Sequence, residues 1–448
     1  MTGREIAARL PPPTPAPIAQ RLGEWMLFFL FAAQGVRNLA GWPGYLGVAG
    51  ALAGLVALSL WRHRRDPRLL SVPPELVAFL LFSACSLLWS EYRWATVLGL
   101  LAQWGTAAAG IWLALSLSWR QLVAALSSAL SRVLLLSLAF EGFVALIVQD
   151  RVAPLWTGYG ATSPGAYFWS ENQLLLGGPV QGIVGNRNLL AFLALLLLLT
   201  IGARIVGGEA VRRAPWTVGL AIGTLTLTRS ATVIAVTAGL AMLIGVLLLV
   251  RRVPPRTRRL FQGVVLAVLS VGLAGVLSIL PVALGVLGRS DLTNRVDIWR
   301  TVLGLVEQRP ALGWGWVSYW APWVQPYDGL VVIDGVEYLQ AHNALLDVLL
   351  QLGVVGAAIA GVLAVAALVR GWTRAMGGPL TTTASPGWGP FLLLCALLAQ
   401  ALTESRLLVE GNWALFVALS AKLAMEGWSH AGHAKFTRRE PAPVSIEP

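Results

Sequence analysis

Residues 216–250 read WTVGLAIGTLTLTRSATVIAVTAGLAMLIGVLLLV, a run of 35 residues in which Arg229 is the only charge. As one helix it would reach about 50 Å at 1.5 Å per residue, whereas a hydrocarbon core is about 30 Å thick and is crossed by about 20 residues. A segment apolar on every face belongs in a membrane or in the middle of a bundle. The run is therefore expected to make two crossings, 215–228 and 230–250, which turn near Thr228–Ser230.

Working outward, the same measure places spans at 24–41, 44–61, 74–91, 96–117, 121–148, 183–203, 260–285, 342–369, 389–405 and 411–427. Composition agrees, since 56% of the chain is apolar and 12% charged, against roughly a quarter charged in soluble domains. The expected fold class is an all-α integral membrane protein of about 12 transmembrane helices. A single membrane domain, 23–428, is flanked by tails at 1–22 and 429–448. The stretch LPPPTPAP at 10–17 is too polar and rigid for the apolar core of a signal peptide. Cys85 and Cys395 both fall in apolar runs and read as buried, small apolar side chains.

The net charge of +12 does not form a nucleic-acid stripe, and no nucleic-acid partner is expected. Basic residues collect in short clusters between spans, at Arg62, Arg64, Arg65 and Arg68, at Arg204, Arg212 and Arg213, and at Arg251, Arg252, Arg256, Arg258 and Arg259. With both termini cytoplasmic, every cluster falls on the inside, as the positive-inside rule requires. Two loops are then outside, 149–182 and 286–341. The longer holds Trp299, Trp314, Trp316, Tyr319, Trp320 and Trp323. Such rings suit a membrane–water interface, with stacking on sugar rings as the functional alternative.

A second set of arginines lies on the outer side: Arg187 in GNRN, Arg229, Arg289, Arg295, Arg300, Arg309 and Arg406. Each alone is compatible with snorkelling or with a nearby carboxylate, such as Glu404 or Glu410 for Arg406. Together they suggest a diphosphate-bearing ligand, because the guanidinium is a permanently charged fork matched to phosphate oxygens. His342 is the only imidazole on that side; His63, His430 and His433 fall in cytoplasmic segments. An imidazole there is a helix cap or a proton acceptor near neutral pH. Asp347 lies more than a turn further on and is not an obvious partner for it. Other outer carboxylates, among them Glu171, Asp297, Asp334 and Glu337, form no closely spaced pair. No metal site and no cofactor is expected.

The stretch AHNALLDVLLQLGVVG, 341–356, resembles the signature of O-antigen ligases: a His followed by a small polar residue, nine residues, Gly, two residues and a small residue. His342, Asn343, Gly353 and Gly356 occupy those positions. WSEYRW (89–94), GNRN (185–188), TRSATVIA (228–235), NRVDIWR (294–300) and RPALGWGW (309–316) follow the order of the O-antigen ligase/polymerase superfamily. The resemblance implies a metal-independent inverting glycosyltransferase of GT-C type in the bacterial inner membrane, with its site on the periplasmic face. Its donor would be an undecaprenyl-diphosphate-linked glycan. Its acceptor would be the lipid A core or another surface glycolipid in a ligase, or a second lipid-linked glycan in a polymerase. By the same resemblance His342 would activate the acceptor, and Arg187, Arg229 and Arg295 would hold the donor diphosphate; Arg300, Asn343 and Arg406 complete the expected substrate-binding set. One departure stands out: where many ligases carry Leu four residues after the loop arginine, Arg295 is followed by Trp299.

A flippase for lipid-linked sugars or a secondary transporter is the reading from another class. Those would show related halves or charges through both leaflets. Here Arg132 and Glu141 are the one mid-span pair, and no internal repeat is visible.

Overall fold

The computed structural model describes residues 16–160, 162–254, 256–257, 290–377 and 387–437. The described chain is helical almost throughout. α1 (Ala16–Phe31) and α2 (Ala33–Arg62) are followed by α3 (Pro74–Cys85), α4 (Arg93–Ser116) and α5 (Trp119–Phe143), then α6 (Arg187–Val206), α7 (Ala214–Thr228) and α8 (Ala231–Arg252). After α9 (Ser290–Gln308) come α10 (Ala344–Gly377), α11 (Gly389–Ala401) and α12 (Glu410–Thr437). The expected span 260–285 lies outside the described residues, as do Arg258, Arg259 and Arg289.

Among the described residues, six helices are long and apolar enough to cross a membrane: α2, α4, α5 with the π turn that extends it to Val148, α6, α8 and α10. With the shorter apolar α3 and α11, they make an all-α membrane protein. The expected tail 1–22 gives way to α1 at Ala16, and α12 runs to Thr437, past the expected boundary at 428. The run 216–250 breaks at Arg229, which takes left-handed backbone angles (φ 50°, ψ 31°), and Ser230 caps the next helix by accepting from Val233 N.

α6 is the innermost strut. Leu190–Leu197 are buried without interruption, and 67% of its apolar window is enclosed. α5, α7 and α11 pack around it, and α12 runs along α4. Close approach between α4 and α12 depends on Gly110, where a Cβ would stand 2.5 Å from the carbonyl oxygen of Ala414. Small residues at such crossings let backbones meet where lipid supplies no hydrophobic drive. α2, only 6% buried over its window, lies at the periphery; Cys85 and Cys395 are free thiols, and Cys85, at the end of α3, is exposed and not buried as expected, while Cys395 is half-buried.

Two expectations are corrected. Within the segment 286–341 fold α9 and a hairpin of β1 (Val332–Ile333) and β2 (Val336–Glu337). Trp316 (0% exposed), Trp320 (1%) and Tyr327 (0%) are interior residues, neither an interfacial belt nor an open sugar platform. Trp320 and Tyr327 share a small core with Tyr92, Ile298 and Val302. Only Trp323 among these aromatics stands well out. Arg132 and Glu141 are likewise no pair. Arg132 bonds Glu24 at 2.9 Å, while Glu141 accepts from Gln181 N, Gly182 N and Ser170 Oγ and anchors the 149–182 loop. Nine residues apart on one helix they point in different directions, so the one mid-span feature of the transporter reading dissolves.

Candidate active site

Several helices begin close together at one end of the bundle. Asn186 caps α6 by accepting from Leu189 N at 2.9 Å. Asn343 caps α10 through Leu345 N and Leu346 N, at 3.0 and 3.2 Å. With Ser230 at the start of α8, each cap supplies a side-chain oxygen to N–H groups that a first turn leaves unpaired. Convergent N-termini create a field that favours an anion.

Glu404, just past α11 and 5% exposed at its side chain, holds the group together. Oε1 accepts from Arg295 Nη2 of α9 at 3.0 Å and from Asn188 Nδ2 of α6 at 3.2 Å. Asn188 Oδ1 in turn accepts from Ser230 Oγ at 2.8 Å. Oε2 lies 2.9 Å from His342 Nδ1. GNRN, TRS, NRVDIWR, the His342 stretch and ESR, scattered over more than two hundred residues, thus close into one network. Burial pushes the Glu404 carboxyl up, but the charge and hydrogen bond of His342, with Arg295 and Arg406, outweigh it and hold the group at about 2.

His342 itself takes a left-handed backbone (φ 50°), a conformation that histidine tolerates but rarely adopts. Its surroundings impose it. Asp347 Oδ2 accepts from Ala341 N at 3.1 Å and Oδ1 from Trp320 Nε1 at 2.7 Å. Trp299 Nε1 donates to the Ala341 carbonyl at 2.9 Å, and Asn343 N donates to Ser405 Oγ at 3.1 Å. Tyr338 meets the imidazole edge-on, with ring centres 5.7 Å apart. Asp347 therefore sets the backbone before His342 and leaves the ring to Glu404. The tryptophan in the ligase leucine position is a second fixture of the same backbone.

A neighbouring carboxylate organises a second cluster. Glu410, also left-handed (φ 50°), opens α12, bonds Arg37 of α2, and lies 4.0 Å from Arg406. Arg406 bonds the hydroxyl of Tyr319, and Arg37 stacks over Trp42 and Tyr45. Of the two carboxylates expected for Arg406, Glu410 is thus the nearer partner.

The remaining expected site residues divide. Arg187 is the first residue of α6, half-buried and adjacent to Asn188. Arg229 is exposed at the α7–α8 turn, beside Gly177 of the 149–182 loop. Asn343 uses its amide oxygen as a cap and its Nδ2 on the Leu402 carbonyl at 3.2 Å. Arg300, five residues from Arg295 on α9, faces away: its side chain is 75% exposed and paired with Asp297. Left out of the sequence reading were Glu404 as the hub, Arg37, and the side chains of Asn188 and Ser230. An ionised residue inside or at the edge of an apolar run is the signal for the first two, because such a charge needs a partner.

The two other motifs form the frame. Trp89 Nε1 donates to the Leu312 carbonyl and Tyr92 OH to the Gly315 carbonyl, at 3.1 and 3.0 Å. Glu91 pairs with Arg309. WSEYRW thus grips RPALGWGW, which is itself bonded to the break in α10 through Val354 N to Pro310 O at 2.8 Å.

The fold and the network together define the class: a helical membrane protein that gathers a histidine and several arginines on one buried carboxylate. Residues 216–361 match the family described as O-antigen ligase, a likeness over about a third of the chain that supports the resemblance to the O-antigen ligase/polymerase superfamily. The matched stretch holds Arg229, Arg295, Arg300, His342 and Asn343, while Arg187 comes from α6 and Glu404 and Arg406 from the segment after α11, both outside the match. No curated protein matches the chain.

Proposed function

We propose that this protein transfers a glycan from undecaprenyl diphosphate to an acceptor hydroxyl at the outer face of a bacterial inner membrane, as a ligase of the O-antigen type. The observation that carries this reading is the shared hold of Glu404 on His342 and Arg295, which sets a proton acceptor beside an anion-binding group at convergent helix starts. Arg187, Arg229, Arg295 and Arg406 hold the donor diphosphate, whose negative charge grows as it leaves. His342 takes the acceptor proton while the hydroxyl attacks the anomeric carbon opposite the diphosphate. In-line displacement inverts that centre. The guanidinium groups supply the positive charge a metal would otherwise bring, and no cofactor is required.

A lipid acceptor makes the protein a ligase, and a second lipid-linked glycan makes it a polymerase. The test is purified protein in phospholipid with an undecaprenyl-diphosphate glycan and each acceptor in turn. The expected result is transfer with an inverted anomeric linkage. Movement of the intact lipid-linked sugar between leaflets without a new glycosidic bond would overturn the reading in favour of a flippase.

A further inference from the structure

The stretch containing Glu404 lies outside the family match, and the sequence assigns that residue at most the neutralisation of Arg406. The geometry points to something else. Glu404 is the positioning residue that fixes the His342 imidazole with Nδ1 protonated, so that Nε2 carries the lone pair for the acceptor hydroxyl. This rests on the glycan-transfer reading above and assigns a role within it.

Three observations support the assignment. Glu404 and His342 are joined at 2.9 Å with side chains only 5% and 16% exposed, so water competes little for the bond. An ionised carboxylate has no proton to give, so Nδ1–H must be the donor and Nε2 is left as the acceptor. The ring has little freedom to turn away, because Tyr338 covers it edge-on and Trp299 and Asp347 pin the residue before it. The groups around the pair are Arg295 of α9, Arg406 after α11, Asp347 of α10, and the neutral Asn188 of α6. Ser230 of α8 reaches the pair only through Asn188.

The step balances within these residues. The acceptor oxygen forms its bond to the anomeric carbon as the bond to the diphosphate oxygen breaks and takes its electron pair with it. The acceptor proton passes to His342 Nε2. The resulting imidazolium lies against the Glu404 carboxylate, which stabilises it, and later releases the proton to water.

The test compares Glu404→Gln and Glu404→Asp with His342→Gln in full-length protein reconstituted in phospholipid. A positioning role falls on turnover more than on donor binding, so the readout is the split between kcat and the donor KM. Glu404→Gln is expected to lower kcat by about 100-fold, the size of a weakened general base, with a smaller change in KM. Glu404→Asp, which keeps the charge but draws it back from Nδ1, should lose about 10-fold in kcat, the worth of a weakened charge-assisted hydrogen bond. A Glu404→Gln kcat close to wild type, or a loss confined to KM, would overturn the assignment and leave Glu404 a structural ion pair. If Glu404→Gln does not reach the membrane, Glu404→Asp decides: its carboxylate stands one methylene back from the 2.9 Å contact with Nδ1, and a kcat equal to wild type overturns the assignment. Should His342→Gln keep wild-type turnover, the base itself lies elsewhere, and that failure is distinguishable because it arises without any change at Glu404.

Discussion

A Cβ on Gly353 would stand 2.2 Å from the carbonyl oxygen of Ala311 and 2.6 Å from the amide nitrogen of Leu312. Gly353 interrupts α10 with φ 62° and ψ −167°, a region open in practice only to glycine. The motif glycine eleven residues after His342 is thus where two backbones touch, and the loop behind it is the one gripped by WSEYRW. Gly353→Ala is expected to destabilise the protein by about 1–3 kcal/mol from forced repacking, with a further ~1–2 kcal/mol from the left-handed backbone. A thermal melt in detergent followed by tryptophan fluorescence would read this, and an unchanged midpoint would show that the crossing gives way easily.

The helices were legible in the sequence because hydropathy and length are local properties. The break of 216–250 at Arg229 is one case, and the end of α2 at Arg62, where the first basic cluster begins, is another. His342, Arg295 and GNRN were legible as an ordered set of motifs. Their meeting point was not, since Glu404 lies 62 residues beyond His342 in the chain and reaches it only through tertiary packing. The aromatic loop misled for a related reason. Trp and Tyr suit an interface and a protein core alike, and the contacts of Trp320 with Asp347 and of Tyr327 with Tyr92 decide between them.

Acid should weaken the Glu404 hub in a defined window. A folded-state value of about 2, against 4.5 ordinarily, means that the ionised group stabilises the fold fully above about 4.5. That contribution fades as pH falls from there through about 2. Wild-type melting temperature should therefore drop between pH 5 and pH 3 more steeply than that of Glu404→Gln. Parallel slopes for the two proteins would place the acid sensitivity elsewhere.

Membrane orientation follows from the arginine clusters. Both termini are expected in the cytoplasm, with segments 149–182 and 286–341 outside. Single cysteines introduced at exposed Trp323 and Arg64, in a chain freed of Cys85 and Cys395, should react with an impermeant reagent from opposite sides of the membrane. Labelling of position 323 from the cytoplasmic side alone would reverse the topology.

The arginines are expected to act through shape as well as charge. Arg295→Lys and Arg229→Lys keep the charge and lose the fork, and each should weaken transfer by roughly 10-fold or more, the worth of a charge-assisted hydrogen bond. Arg300→Lys, on the exposed face of α9 with Asp297, should stay close to wild type. A chelator should change none of these rates. Full loss with EDTA and recovery with magnesium would replace the arginine clamp by a metal.

His342→Ala separates catalysis from construction. Asn343, and not His342, caps α10 through Leu345 N and Leu346 N, and the frame around Gly353 does not involve the imidazole. The variant should therefore fold and insert; relief of a left-handed residue is not at issue, because alanine meets the same backbone restriction at φ 50°. Its stability is expected within about 1–2 kcal/mol of wild type, the usual size of a single substitution. Turnover should nevertheless fall by about 10²-fold or more, the contribution of a general base, while donor affinity is retained, since the diphosphate is held by arginines. Pairing donor binding with turnover in the Ala and Gln variants distinguishes the cases. Loss of both donor affinity and turnover would make His342 a binding residue. Near wild-type turnover in both variants would send the search for the base to Glu171, Asp297, Asp334 or Glu337.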